Sequence, residues 1–372
     1  MRVGVDLSML VYQGSGVATY TFNAAKALLT YDHDNEYVFF YASLRRPAHF
    51  TYLKALRALG ANIVEVPLPS RALRLLWNRL HLLPVEWFIG KVDVFFSSDY
   101  LRPPLLSGTK GITTVHDLIW YKYPQFHNGD IVASHARKMA KLIKYKDTIL
   151  VDSFSSERDL FQYYPQLERS KVHVVYPGVD DRFTSKPTSL VNQVLSKYSL
   201  PRKPYLIYIG AIEPRKNLDQ AIRVFAELIK NKSYHDYHFV IAGRAGWKNA
   251  HIHALVNELR LTSRVLFPGF VEESDIPALY SGAAACLYLS EYEGFGLPPL
   301  EAAKSGTPTL LYRHSSLSEL FPLNYPYAKK GQELSTLRKL IKSGHQLPLS
   351  SYAAKFSWES FADKFAKIAQ SL

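Results

Sequence analysis

Short runs of β-branched and aromatic residues alternate with longer stretches of helical periodicity along the whole chain, and no other feature constrains its fold as strongly. Residues 3–7, 37–41, 62–66, 92–95, 111–115, 148–152 and 172–176 read as strands, while 17–29 and 135–145 carry apolar residues at helical spacing. Strands separated by helices pair in parallel, because each helix covers the distance back to the start of the sheet. A parallel, doubly wound sheet takes its ligands at the carboxyl ends of its strands. Every candidate motif can therefore be tested by asking whether it follows a strand.

The alternation pauses at Tyr176-Pro177-Gly178-Val179-Asp180-Asp181, and polar sequence without a strand runs on to Pro204, where a linker is expected. It resumes with strands at 205–209, 238–242, 265–268, 284–289 and 308–311 and helices at 218–229 and 298–305. A chain of 372 residues has length enough for two such domains, each with its own core. The single cysteine, Cys286, lies inside an apolar run and reads as a small buried hydrophobe, which excludes a disulfide framework. The opening Met1-Arg2-Val3-Gly4-Val5-Asp6 lacks the apolar stretch of a secretion signal, and no run of 18 apolar residues occurs, so a cytoplasmic location is expected.

Four segments pass the strand-end test. Gly14-Ser15-Gly16 follows the first strand and opens a helix; glycines there let backbone amides approach a phosphate or sugar, and a plain tight turn fits as well. A nicotinamide-cofactor fingerprint is disfavoured, since the third glycine is missing and the second strand ends Phe40-Tyr41-Ala42-Ser43 without an acid for a ribose. Gly210-Ala211-Ile212-Glu213-Pro214-Arg215-Lys216-Asn217 sets two cations beside a helix start, with Asn217 as N-cap, and reads as a diphosphate site, with a solvated basic turn as the alternative. Glu291-Tyr292-Glu293-Gly294-Phe295-Gly296-Leu297 leads into a helix carrying Glu301, and two carboxylate acceptors eight residues apart suit hydroxyl-rich ligands, with a merely structural turn as the alternative. His116-Asp117 ends a strand of the first domain, where the imidazole can bond a substrate, move a proton, or serve as a structural histidine. Asp32-His33-Asp34 imitates a metal-binding pair but precedes its strand, and it reads as a solvated turn with no metal site expected.

Taken together these motifs resemble glycosyltransferase family 4, the retaining GT-B enzymes. The resemblance runs over nearly the whole chain through Arg2-Val3-Gly4-Val5-Asp6, Gly14-Ser15-Gly16, Thr114-Val115-His116-Asp117-Leu118, Tyr176-Pro177-Gly178-Val179, Gly210 to Asn217, Ala242-Gly243, Glu293-x7-Glu301 and Ser315-Ser316-Leu317-Ser318-Glu319. It implies an α/β GT-B fold of two doubly wound Rossmann-like domains facing across a cleft. An acceptor-binding domain is expected over 1–180, a nucleotide-sugar-binding domain over 181–355, and a final helix over 356–372 crossing back to the first. It also implies that Arg215 and Lys216 bind the donor diphosphate, that Glu293 with the amides of Gly294, Phe295, Gly296 and Leu297 holds sugar hydroxyls, and that Glu301 takes the ribose. Gly16 would approach the phosphate or acceptor, His116 the donor sugar, and Arg244 the base or diphosphate. The Glu-Pro-Arg-Lys-Asn and His-Asp-Leu-Ile contexts look most like mannosyltransferases. The expected activity is metal-independent retaining transfer of a hexose, mannose from GDP-mannose ahead of a UDP-sugar, in glycan biosynthesis; a nicotinamide-dependent oxidoreductase is the distant alternative. Ser318 stands where family members commonly have proline, which puts the contacts of Ser315 and Ser316 in question.

Formal net charge is +13, and residues 45–110 alone hold ten Lys/Arg against four Asp/Glu. Within them, 70–83 reads as an amphipathic helix with Arg71, Arg74 and Asn78 on one face and Leu73, Leu76, Trp77 and Leu80 on another. It either packs on the first sheet or lies on an anionic leaflet, with Arg71, Arg74, Arg79 and Trp77 at the interface, which would give a peripheral contact with the inner face of a membrane. Nucleic acid is excluded as a partner, because the charge comes with no recognition motif.

Overall fold

The computed structural model describes residues 1–44, 50–126, 129–244 and 250–372. It divides into two compact units, Met1–Gly178 with Phe356–Leu372, and Val179–Lys355. Each is built on one parallel sheet.

The first sheet comprises β1 (Arg2–Asp6), β2 (Glu36–Ala42), β3 (Asn62–Val66), β4 (Val94–Ser97), β5 (Lys110–Val115), β6 (Thr148–Val151) and β7 (Val172–Val174), in the order β3-β2-β1-β4-β5-β6-β7. The second comprises β8 (Tyr205–Ile209), β9 (His238–Ala242), β10 (Val265–Gly269), β11 (Ala285–Leu287) and β12 (Thr309–Leu310), in the order β10-β9-β8-β11-β12. Parallel strands covered on both faces read as continuous apolar runs, and β8, YLIYI, is buried at every residue. The order reverses beside β1 and beside β8, and at such switch points the loops after adjacent strands splay apart and open a crevice. Cys286 lies buried in β11, where burial pushes its thiol well up.

The last helix, Trp358–Gln370, belongs to the first unit. Ser357 caps it by accepting from Ser360 N at 3.1 Å. Its residues Trp358, Phe361, Ala362, Phe365 and Ala369 recur at helical spacing and pack into one core with Val3, Val5, Tyr20 and Phe96. The chain reaches this helix closely at Gly178, where a Cβ would stand 2.2 Å from Trp358 N, so only glycine fits.

Two expectations need correction. The stretch before Pro204 is no linker: Val179 and Phe183 are buried, and the helix Thr188–Lys197 buries Val191, Val194 and Leu195 in the second unit. Its one buried stripe is what carries it into the fold, although its composition is polar. The basic segment is also not a regular helix. A single turn, Ser70–Leu73, continues as π-helix over Arg74–Leu80, and that winding turns Trp77 and Asn78 inward. The Trp77 ring packs 5.2 Å from that of Phe40 and its Nε1 donates to the Leu83 carbonyl, so it cannot serve an interface. Arg45, Arg46 and the Arg71 side chain lie outside the described residues.

Candidate functional site

In the second unit, the loops after β8, β9 and β11 converge. Gly243 follows β9 at φ +143°, and a Cβ there would stand 2.0 Å from the Gly210 carbonyl oxygen; the two glycines let the strand ends close on each other. After Gly210 a short 3₁₀ turn, Pro214–Lys216, delivers the two cations. Asn217 occupies the N-cap position of the helix Leu218–Ile229, but its side chain does not cap it. It adopts a left-handed conformation and its amide donates to Glu291 Oε1 at 3.1 Å, tying the β8 loop to the β11 loop.

Glu293 unites the site. Lys216 Nζ donates to its Oε1 at 2.6 Å and Arg215 Nη1 to its Oε2 at 2.9 Å, while Arg215 Nε reaches Glu213 at 2.9 Å. Lys216 Nζ also donates to the Tyr288 hydroxyl at 3.1 Å. Burial pushes the Glu293 carboxyl up, yet the charges of Lys216 and Arg215 overrule it and hold it at about 2. Burial and the neighbouring Arg215 push Lys216 down, which Glu293 opposes. The loop is braced by Ser316, whose Oγ lies 2.8 Å from the carbonyl oxygens of both Glu293 and Phe295. Ser315 accepts from Glu293 N at 3.4 Å, and Ser318 Oγ donates to Ser315 O at 2.8 Å, a bond that proline in its place could not make. Gly296, at φ +104°, then opens the helix Leu297–Lys304, so the amides of Gly294 to Leu297 gather at a helix start.

Glu301 stands one turn into that helix. Among the described residues no side chain hydrogen-bonds to its carboxylate. Burial pushes it up to about 7; Arg182 draws it down, and Glu273 and Asp180 push it further up. A carboxylate in this state is stabilised by hydroxyl donors. Arg244 follows Gly243 with its guanidinium 5.5 Å from the Phe270 ring, next to the undescribed residues 245–249.

In the first unit, Ser15 caps the helix Gly16–Tyr31 by accepting from Ala18 N at 3.2 Å, and Gly14 turns at φ +75°. A Cβ on Gly16 would meet nothing within 4 Å, so the helix start is open. His116 follows β5 with Nδ1 2.6 Å from Asp152 Oδ2 and Nε2 2.8 Å from the Ser98 carbonyl oxygen. Asp117 Oδ1 accepts from Ile119 N at 3.0 Å and shapes the turn that follows. In Asp32-His33-Asp34, His33 and Asp34 are exposed as a solvated turn has them, whereas Asp32 is buried and accepts from Asn35 Nδ2 at 2.7 Å, from Asp34 N at 3.1 Å and from the Tyr37 hydroxyl.

Arg215, Lys216, Glu293 and Glu301 thus share one end of the second sheet, while His116 and Gly16 occupy the corresponding end of the first. Sequence reasoning missed Tyr288 and Asp152, and it named Ser316 without finding its contacts with the Glu293 and Phe295 carbonyls. Asp152 was within reach of the strand-end rule, because Val151 pairs with Val115 and places residue 152 beside residue 116.

Comparison with known proteins accords with this arrangement. Residues 14–183 match the model of Glycosyltransferase Family 4, and 196–326 that of Glycosyl transferases group 1. O-antigen chain mannosyltransferase B of Escherichia coli is 28% identical over 68% of this chain, which spans 65% of that protein's length. O-antigen chain mannosyltransferase RfbU of Salmonella typhimurium is 24% identical over 96% of both chains. The solved sucrose-phosphate synthase of Thermosynechococcus elongatus shares the fold with a TM-score of 0.73 at 15% identity, over 100% of this chain and 98% of that one.

Proposed function

This chain belongs to the family 4 glycosyltransferases, and we propose that it is a retaining hexosyltransferase moving mannose from GDP-mannose to a hydroxyl of a glycan or lipid-linked acceptor. The observation that carries this reading is the Arg215–Lys216–Glu293 network at the ligand end of the second sheet, with Lys216 and Glu293 buried, next to Glu301, whose carboxylate has no side-chain hydrogen bond among the described residues. Arg215 and Lys216 take the donor diphosphate and stabilise the charge that grows on it as the sugar leaves. Glu293 and the amides at the helix start hold sugar hydroxyls, Glu301 accepts from the ribose, and Arg244 flanks the nucleotide. Mannose is favoured by the names of the relatives and by the motif contexts of both units. With two protein cations on the diphosphate, the reaction proceeds without a metal. Thermal unfolding with GDP, UDP and NAD tests the reading: at 100 times its Kd a ligand adds about 2.7 kcal/mol. Stabilisation by GDP alone supports it, and stabilisation by NAD or by none of the three contradicts it.

A lipid-linked acceptor requires the enzyme to meet a membrane, and among the described residues no helix is long and apolar enough to cross one. The surface we propose for that contact is not the one centred on Trp77. Leu75, Leu80, Leu82, Trp87 and Leu106 are exposed, Trp87 at 66%. Their segments are joined by hydrogen bonds from Val85 N to Pro104 O and from Leu106 N to Glu86 Oε1. Exposed Arg79, Lys91 and Lys110 lie on the same segments, which suits an anionic leaflet.

A further inference from the structure

His116 is held at both ring nitrogens by acceptors of the protein itself. The Ser98 carbonyl oxygen, 2.8 Å from Nε2, can only accept, so Nε2 carries a proton. Asp152, 2.6 Å from Nδ1, accepts while ionised, so Nδ1 carries the second. The lock is built from several elements. Val115 pairs with Val151, so the two residues stand side by side at the carboxyl ends of β5 and β6. Tyr20 from the first helix sets its ring edge-on against the imidazole, 4.5 Å between centroids, and bonds the Thr114 hydroxyl at 3.1 Å. Ser156 Oγ donates to the His116 carbonyl at 3.0 Å, while Ser153 Oγ accepts from Ser156 N at 3.0 Å.

The charged groups facing the ring are Asp152 after β6, Asp99 after β4, and Lys138, buried in the helix Gly129–Tyr145 with Nζ on the Thr114 carbonyl at 3.1 Å. Asp117 adds its charge to those around Asp152 and Lys138. Burial alone pushes the imidazole down, but Asp152, through its charge and hydrogen bond, and then Asp99 raise it to about 9 against the opposing Lys138. Asp152 is only 5% exposed and its second oxygen, Oδ1, has no partner among the described residues. A buried carboxylate left half-satisfied costs stability unless its charge is matched, and the protonated ring is what matches it.

We propose that Asp152 is a positioning residue for sugar transfer: its carboxylate locks His116 as a double hydrogen-bond donor, making the ring a fixed cation that is closed to the acceptor's proton. This rests on the glycosyltransferase reading above. The acceptor oxygen bonds to the anomeric carbon, the bond from that carbon to the diphosphate oxygen breaks, and the hydroxyl proton passes to the departing oxygen. His116 neither gains nor loses a proton in the step.

The ring C–H signals of His116 in the wild-type enzyme, followed by NMR against pH, test the lock without any substitution. They should stay those of an imidazolium through pH 8, with a midpoint near 9. Asp152→Asn keeps the shape and an acceptor for Nδ1–H but removes the charge, so its midpoint should fall below the ordinary 6.5. At pH 7.5 that variant should lose about tenfold or more in kcat with the donor KM little changed, and the double variant His116→Gln, Asp152→Asn should be no slower than His116→Gln. A wild-type midpoint at or below 7, an unshifted midpoint in Asp152→Asn, or independent effects of the two substitutions overturns the proposal. The ring titration decides the lock whatever the donor proves to be, so its failure is distinct from failure of the proposed activity.

Discussion

Replacing Glu293 by glutamine should destabilise the second unit by about 3 kcal/mol at pH 7, and two arguments give that size independently. The carboxyl titrates at about 2 in the folded protein against an ordinary 4.5. At about 1.4 kcal/mol per pKa unit this gap is worth roughly 3 kcal/mol. Separately, removing one partner of a buried ion pair leaves an uncompensated charge and typically costs about 3–5 kcal/mol. Here Lys216 would be left buried with the Tyr288 hydroxyl as its contact. Because the folded pKa is depressed, the contribution is fully present above pH 4.5 and disappears as pH falls through about 2. Wild type should therefore lose roughly 3 kcal/mol across that window from this group, and Glu293→Gln should not. Hydrogen exchange at the amides of β8 and β11 measures this locally, since the two units need not unfold together. Pyrophosphate should also stabilise the variant more than wild type, because the carboxylate no longer competes for the cations. A variant within about 1 kcal/mol of wild type at pH 7, or one with the same acid sensitivity, would refute the reasoning.

Glu301 carries the opposite sign. Its carboxyl titrates at about 7, so the ionised form that accepts ribose hydroxyls is lost as pH falls. GDP affinity measured by calorimetry should weaken below pH 7 by up to about tenfold per pH unit, and Glu301→Gln should bind weakly with little pH dependence; a wild-type affinity flat from pH 5.5 to 8 argues against the role. Turnover should survive EDTA, because Arg215 and Lys216 neutralise the diphosphate, and activity lost in chelator and restored by Mg²⁺ or Mn²⁺ would show that they do not suffice. Exchanging Trp87, Leu80 and Leu82 together for serine should abolish sedimentation with anionic vesicles at low salt while transfer to a water-soluble acceptor is unchanged. Wild type that ignores such vesicles removes the membrane contact.

The sheets were legible chiefly where their strands are covered on two faces and run apolar: β8 and β9 fall where periodicity places them. The strand-end rule singled out His116, Arg215, Lys216 and Glu293, and the structure places each beyond the carboxyl end of its strand. What escaped was set by packing between segments distant in sequence. Polar composition concealed the buried stripe of Thr188–Lys197. Helical period put Trp77 on an apolar face but left open whether that face meets the sheet or a leaflet, and only its packing on Phe40 decides for the sheet. Asn217 looks like a side-chain cap by residue type, but its amide is drawn 74 residues along the chain to Glu291. The union of Arg215 and Lys216 on one carboxylate, and of His116 on Asp152, depends on strand order, which local pattern does not encode.

The account's central claim is tested most directly by following the anomeric signals of the sugar by NMR while the enzyme turns over. With GDP-α-mannose and a lipid-linked or soluble glycan acceptor, donor consumption should be matched by a mannoside of the same anomeric configuration, with no β product. An inverted product would contradict the retaining assignment, and consumption of a UDP-sugar while GDP-mannose stays intact would contradict the donor.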